Sequence, residues 1–204
     1  VVENIYCDNT ESDYTTSIPF QSCVHLQNVI RTKINGIWNM NAGTGNGDWT
    51  QGIGLWLDGT DGQYVVENAV TDLHMENGFA GVALTGHVEG LNIQNSTLLD
   101  NAYGIYAPGR SFLLAGYGQT NAASYPNNIL LYITVQNTHL NDYLRSAYFV
   151  SAGSVKMYGN LLYNGFNGTG TAGLSETIPS GALMPITNTI LGSTATTYTY
   201  AGVD

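Results

Sequence analysis

Between Val70 and Phe149 the apolar residues recur in short period-2 segments, such as Val82-x-Leu84 and Ile105-x-Ala107, each cut short by Asn, Asp or Gly. Alternation of this kind predicts strands with one buried face, whereas a helix shows 3.6-residue spacing over ten or more positions. The chain is therefore expected to be all-β.

The segments are also copies of one another. Residues 70–84 align without a gap on 93–107 at an offset of 23: apolar residues match at Val70/Ile93, Met75/Leu98 and Val82/Ile105, a glycine at Gly81/Gly104, and polar turn residues at Asn77/Asp100. A third copy follows at an offset of 42 through Val135, Asn137, Leu140, Asp142, Ala147 and Phe149, its extra residues falling in a loop near 110–128. A weaker one runs through Met157, Leu162 and Asn164, and backwards the stretch 52–56 is set on 81–85 at an offset of 29. Five or six coils of about 23 residues then stack one strand spacing apart, about 4.8 Å. Val70/Ile93/Val135 and Met75/Leu98/Leu140 become inward columns, and Asp72/Asn95/Asn137 a structural ladder of polar side chains at a bend.

The run Asn95-x-x-x-x-Asp100-Asn101-Ala102-Tyr103-Gly104-Ile105-Tyr106 resembles the coil repeat of the pectate-lyase-like superfamily. Within it, the long loops and low charge are most similar to bacteriophage tailspikes. The resemblance covers roughly residues 26–166 and implies a right-handed single-stranded parallel β-helix over 1–166, with a C-terminal cap or arm over 167–204. Its 186–200 stretch is expected to cover the open edge of the last coil or to pack on a neighbouring subunit. The family's Tyr-Gly-Ala-like opening strand and capping helix are not found, so a piece of a longer spike is expected. The resemblance further implies a homotrimer outside the cell, on a virion tail or secreted.

Charge narrows the partners. Five Lys and Arg stand against fifteen Asp and Glu, a formal net charge of −10, with no basic run to neutralise phosphates. Nucleic acid and membrane are therefore not expected as partners; a polysaccharide or cell-surface glycan is. No apolar run approaches the roughly 20 residues of a membrane-spanning helix. Cys7 and Cys23 fit either one disulfide or two buried thiols.

Carried to the end of each aligned strand, the repeat puts Asp58, His87 and Arg110 in one column, beside Trp56, Tyr106 and Tyr148. Two long insertions flank this face, 41–51 with Asp48 and Trp49, and 110–128 with Tyr117 and Tyr125. A groove walled by aromatic rings suits the alternating CH and OH surfaces of sugars. Glycoside hydrolysis needs two carboxylates flanking the scissile bond. Asp58 and Asp48 are the candidate pair, with His87 and Arg110 as positioning or charge-stabilising groups. His74 and His139 occupy matching positions two coils apart, without a third ligand, so no metal and no cofactor are expected. A lyase is the less favoured chemistry, because calcium wants six or more oxygens and Asp100 with Asp142 makes a thin cluster. The expectation is a glycan-binding, glycan-cleaving depolymerase. The alternative is a catalytically silent binding or structural module of a tail fibre or other extracellular assembly.

Overall fold

In the computed structural model of the protein, residues 1–8, 22–40, 52–60, 62–107, 130–142, 145–150, 154–163 and 182–183 are described, and every regular element among them is a β-strand. The chain passes through three sheets in a fixed order. The first pass is β1 (Val2–Asp8), β2 (Ser22–Gln27) and β3 (Val29–Ile30); the second β4 (Lys33–Met40), β5 (Ile53–Gly59) and β6 (Val65–Val66). The third is β7 (Ala69–Glu76), β8 (Ala80–Gly86) and β9 (Val88–Glu89). The fourth is β10 (Asn92–Gln94), β11 (Thr97–Leu99), β12 (Tyr103–Ala107) and β13 (Leu130–Leu131). The fifth holds β14 (Ile133–Gln136), β15 (His139–Asn141) and β16 (Arg145–Val150), and the sixth β17 (Val155–Tyr158) and β18 (Leu161–Tyr163).

Sheet 1 is the parallel stack of β1, β4, β7 and the pairs β10/β11, β14/β15 and β17/β18; sheet 2 stacks β2, β5, β8, β12 and β16 in parallel; and the short β3, β6, β9 and β13 make sheet 3. Parallel strands stacked in three sheets are compatible with the parallel β-helix expected from the repeat. The remaining strand, β19 (Ala182–Leu183), pairs antiparallel with β16, the last strand of sheet 2. It is the described part of 167–204; the 186–200 stretch expected to cover that edge lies outside the described residues.

The register matches the repeat where the repeat is gapless. Val70 stands against Ile93, Ile93 against Val135 and Val135 against Met157. Val70, Ile93, Val135, Met75, Leu98 and Leu140 are all fully buried. Sheet 2 adds Val24, Leu55, Val82, Ile105 and Ala147, and sheet 3 adds Val29, Val65, Val88 and Leu130. Each large aliphatic side chain in these columns removes enough apolar surface from water to stabilise the fold by about 1.5–3 kcal/mol.

One offset is corrected. Ile53 pairs with Ala80 and Leu55 with Val82, an offset of 27, so Gly54 rather than Gly52 stands over Gly81. A Cβ on Gly54 would run into Met75 Sδ and lie 2.6 Å from the Gly81 carbonyl, and one on Gly81 would lie 2.9 Å from the Gly104 carbonyl. Only glycine fits this column. A two-residue slip keeps the inward and outward alternation intact, so the hydrophobic pattern cannot detect it.

Asp72, Asn95 and Asn137 do superpose, as members of a bend in sheet 1 where the chain turns left-handed, with φ of 54°, 51° and 49°. The neighbouring Ser96 hydroxyl accepts the Leu73 N–H of the pass below (3.2 Å), and three inward-facing asparagines tie corners along the stack through both of their amide groups. Asn68 Oδ1 accepts the Thr32 N–H (2.8 Å) while its Nδ2 donates to the Val29 carbonyl (3.0 Å). Asn101 does the same with Gly78 and Met75 (3.0 and 3.1 Å), and Asn160 with Thr138 and Val135 (3.0 and 2.9 Å). One amide thereby satisfies a donor and an acceptor that a buried corner would otherwise leave unpaired.

Cys7 of β1 and Cys23 of β2 form a disulfide, the first of the two alternatives left open by the sequence, and it ties sheet 1 to sheet 2 in the first pass. Above Cys7 in the same inward column sits Asn39, 1% exposed, whose Oδ1 and Nδ2 have no hydrogen-bond partner.

Candidate functional site

Asp58 lies near the end of β5, its side chain on the outer face of sheet 2, yet it is only 2% exposed. Its carboxylate accepts five hydrogen bonds. Oδ1 takes the Thr60 N–H (3.1 Å), the Thr60 hydroxyl (2.7 Å) and the Thr85 hydroxyl (2.8 Å), and Oδ2 takes Gln27 Nε2 (2.8 Å) and His25 Nε2 (3.0 Å). Burial pushes this carboxyl up, but the bonds from Thr60, Gln27 and Thr85 together outweigh it and hold it below the usual carboxylate range. Such a group stays ionised and makes a poor proton donor.

The corrected register decides its neighbours. Asp58 pairs with Thr85 above and Gln27 below, so the expected Asp58–His87 column does not form. His87 falls one corner further on, where its backbone N–H donates to the Gly59 carbonyl; its ring meets Glu89 (3.2 Å) and the edge of Tyr64 (5.0 Å). The imidazole that does reach Asp58 belongs to His25. Its ring stacks on Trp56 with centroids 4.0 Å apart and planes 7° apart. Trp56 is fixed in turn, its Nε1–H donating to the same Thr85 hydroxyl that donates to Asp58. His25 lies just outside the stretch covered by the repeat, so nothing in the periodicity connected it with Asp58.

His25, Trp56, Ala83, Tyr106 and Tyr148 form one outward column on sheet 2. Tyr106 and Tyr148 stack at 5.5 Å, and Phe79 and Tyr103 pack against Tyr106 at 4.9 and 4.5 Å. The open aromatic floor expected here is corrected: Trp56, Tyr106 and Tyr148 are 2, 3 and 4% exposed, and every residue of β5 and β8 is buried on both faces. These rings form a second packed layer, cohesive through edge and offset contacts. Asp48, Trp49, Arg110, Tyr117 and Tyr125, the expected walls and partners, lie outside the described residues.

The face that is open belongs to sheet 1. One outward column runs Tyr6, Trp38, His74, Thr97, His139 and Leu161, one residue per pass. Tyr6 is 64% and Trp38 48% exposed, and Trp38 stacks on His74 at 5.2 Å. Beside it runs a polar column in which Thr71 donates to Asn35 (2.6 Å) and Gln136 to Gln94 (2.6 Å), ending at the exposed Tyr158. On the other flank stand Asp8, bonded by the Tyr6 hydroxyl (3.3 Å), and Glu76, bonded to His74 (2.7 Å). Asp100, one pass above, is pushed up by burial and by the charge of Glu76. Six passes at about 4.8 Å per strand make this surface roughly 24 Å long. Among the described residues no three His, Cys, Asp or Glu converge as metal ligands.

Fold and surface together define an all-β protein of parallel strands in three sheets, with one aromatic and amide-rich outer face. No protein-family model matches the chain, and no curated protein or solved structure gives a match.

Proposed function

We propose that the chain is part of a right-handed, single-stranded parallel β-helix of the tailspike kind, acting outside the cell as a homotrimer, and that it binds a polysaccharide along the outer face of sheet 1. The observation that carries the reading is the exposed Tyr6–Trp38 pair at the head of a column flanked by side-chain amides and carboxylates. Flat rings stack on sugar CH faces, while amides and carboxylates take up ring hydroxyls, and neither needs net positive charge. A phosphate-rich or lipid surface would meet a strongly acidic protein.

Glycan cleavage is a second reading, favoured by His25. A part-exposed imidazole held flat on Trp56 and fixed by an ionised Asp58 resembles a general base with its orienting carboxylate. On this reading Asp58 is a positioning group, Asp48 remains the candidate second carboxylate, and no cofactor is called for.

A glycan-array screen of the wild type, Trp38→Ala and Tyr6→Ala tests the binding reading. Each truncation is expected to weaken binding about tenfold, the equivalent of about 1.4 kcal/mol. Absence of any glycan ligand, or undiminished binding by both variants, would overturn it. Shortened oligosaccharides made by the wild type and not by His25→Gln would support cleavage; intact glycan would leave a binding module.

A further inference from the structure

Three asparagines, Asn68 and Asn101 buried and Asn160 half-buried, repeat one device. In each, Oδ1 accepts the N–H that closes a corner of the neighbouring coil, Nδ2 donates to the carbonyl three residues earlier, and the residue between is left-handed: Arg31, Asn77 and Asn137, with φ of 53°, 56° and 49°. The side chain must therefore offer one acceptor and one donor.

The corner from Leu98 to Asn101 has the same form, with Asp100 left-handed at φ 53° and Leu98 in the place of Met75. Here the side chain that reaches it is a carboxyl. Asp142 Oδ1 accepts the Asn101 N–H at 3.2 Å, as Asn101 Oδ1 accepts that of Gly78, and also takes Asn101 Nδ2 at 3.0 Å. The second oxygen matches as well. A Cβ on Gly81 would lie 3.3 Å from Asn101 Nδ2, and a Cβ on Gly104, one pass above Gly81, would run into Asp142 Oδ2. Oδ2 thus stands near where the amide donor stands one coil lower, a donor that there bonds the Met75 carbonyl; at this corner Leu98 holds the place of Met75 and offers its own carbonyl, an acceptor.

We propose that Asp142 is a proton-locked corner, held in the folded chain as the neutral acid, its Oδ2–H donating to the Leu98 carbonyl as Asn101 Nδ2 donates to Met75. An ionised carboxylate has only acceptors and would set oxygen against oxygen. The surroundings favour the acid. Asp142 is 1% exposed, and among the described residues Asp100, a carboxyl that is itself faced by Glu76, acts on it with like charge. Burial raises its proton affinity well above the ordinary range; the two bonds from Asn101 pull the other way, and Asp100 adds to the rise. The folded chain then holds this proton more tightly than the unfolded one. Stability from this corner is fullest below the unfolded value of about 3.9 and declines as pH rises towards the raised folded value. The fifth coil grips the fourth harder as the medium acidifies.

Asp142→Asn keeps the shape and supplies the donor at every pH. Its melting temperature is expected to match the wild type near pH 4 and to exceed it by several degrees at pH 8, the gap opening steadily between. A gap that does not change with pH, or a variant less stable than wild type at pH 8, overturns the proposal. An independent readout uses the wild-type chain labelled with 13C at Asp carboxyls: one side-chain signal at pH 7 should have the shift of a protonated acid. Only carboxylate signals at that pH would overturn the proposal whether or not the variant folds.

Discussion

Asp58→Asn separates a carboxylate that builds the fold from one that performs chemistry. The change is isosteric, so it opens no cavity. Its single oxygen faces best towards Thr60 and Thr85, which keeps three of the donors satisfied. The new NH2 then meets Gln27 Nε2 and His25 Nε2, two donors at 2.8 and 3.0 Å from the oxygen it replaces. Two charge-assisted bonds disappear, each worth about 1.5–3 kcal/mol, and both partners reach enough water to recover part of that. A net loss of about 2 kcal/mol is expected, which lowers the melting temperature by about 4–8 °C for a chain of this size. Because the folded carboxyl holds its proton less tightly than the unfolded one, its contribution is present above about pH 4 and fades as pH falls through the lowered folded value. Thermal melts of wild type and variant at pH 7 and pH 3 should therefore show a gap that narrows in acid. An unchanged melting temperature at pH 7 would refute the structural role given to Asp58, and with it the account of why this buried carboxylate stays ionised.

Two further outcomes follow from the first two coils. Replacing Cys7 and Cys23 by Ser releases a closure between residues 16 apart, and the chain-entropy account puts the loss at about 3 kcal/mol, measurable as a lower urea midpoint that matches the wild type under reducing conditions. Asn39→Leu should do the opposite: exchanging an unpartnered buried amide for an aliphatic side chain of similar size removes a desolvation cost of about 1–3 kcal/mol, so the urea midpoint should rise.

The core was legible because it is periodic. Val70, Ile93 and Val135 announce their own stacking, since a residue one coil away must fill the same space. Gly54 was not, because Gly52 satisfies the same alternation, and only the close approach of the Gly81 carbonyl tells them apart. That two-residue slip moved the expected partner of Asp58 from Thr85 to His87. Burial on the outer face of sheet 2 was hidden for another reason. Trp56 and Tyr106 alternate in the sequence as exposed residues would, and what lies against a sheet's second face is not written in the strand itself. Tyr6 and Trp38 escaped notice because the first two coils carry long insertions, which break the regular offset and conceal that both residues stand in the column of His74.

The three junctions between sheets differ in how much chain they tolerate. Between sheets 3 and 1 the connection is one or two residues in each of the four passes where it is described, and each time it holds a left-handed residue: Arg31, Glu67, Gly90 or Tyr132. The additional chain of 9–21, 41–51 and 108–129 departs only from the two ends of sheet 2. Of the three junctions between sheets, one is thus welded and two are left as sockets. Evolution, or a protein engineer, could exchange whole loops at those sockets and change what the sheet 2 side meets without disturbing the register of a single core column.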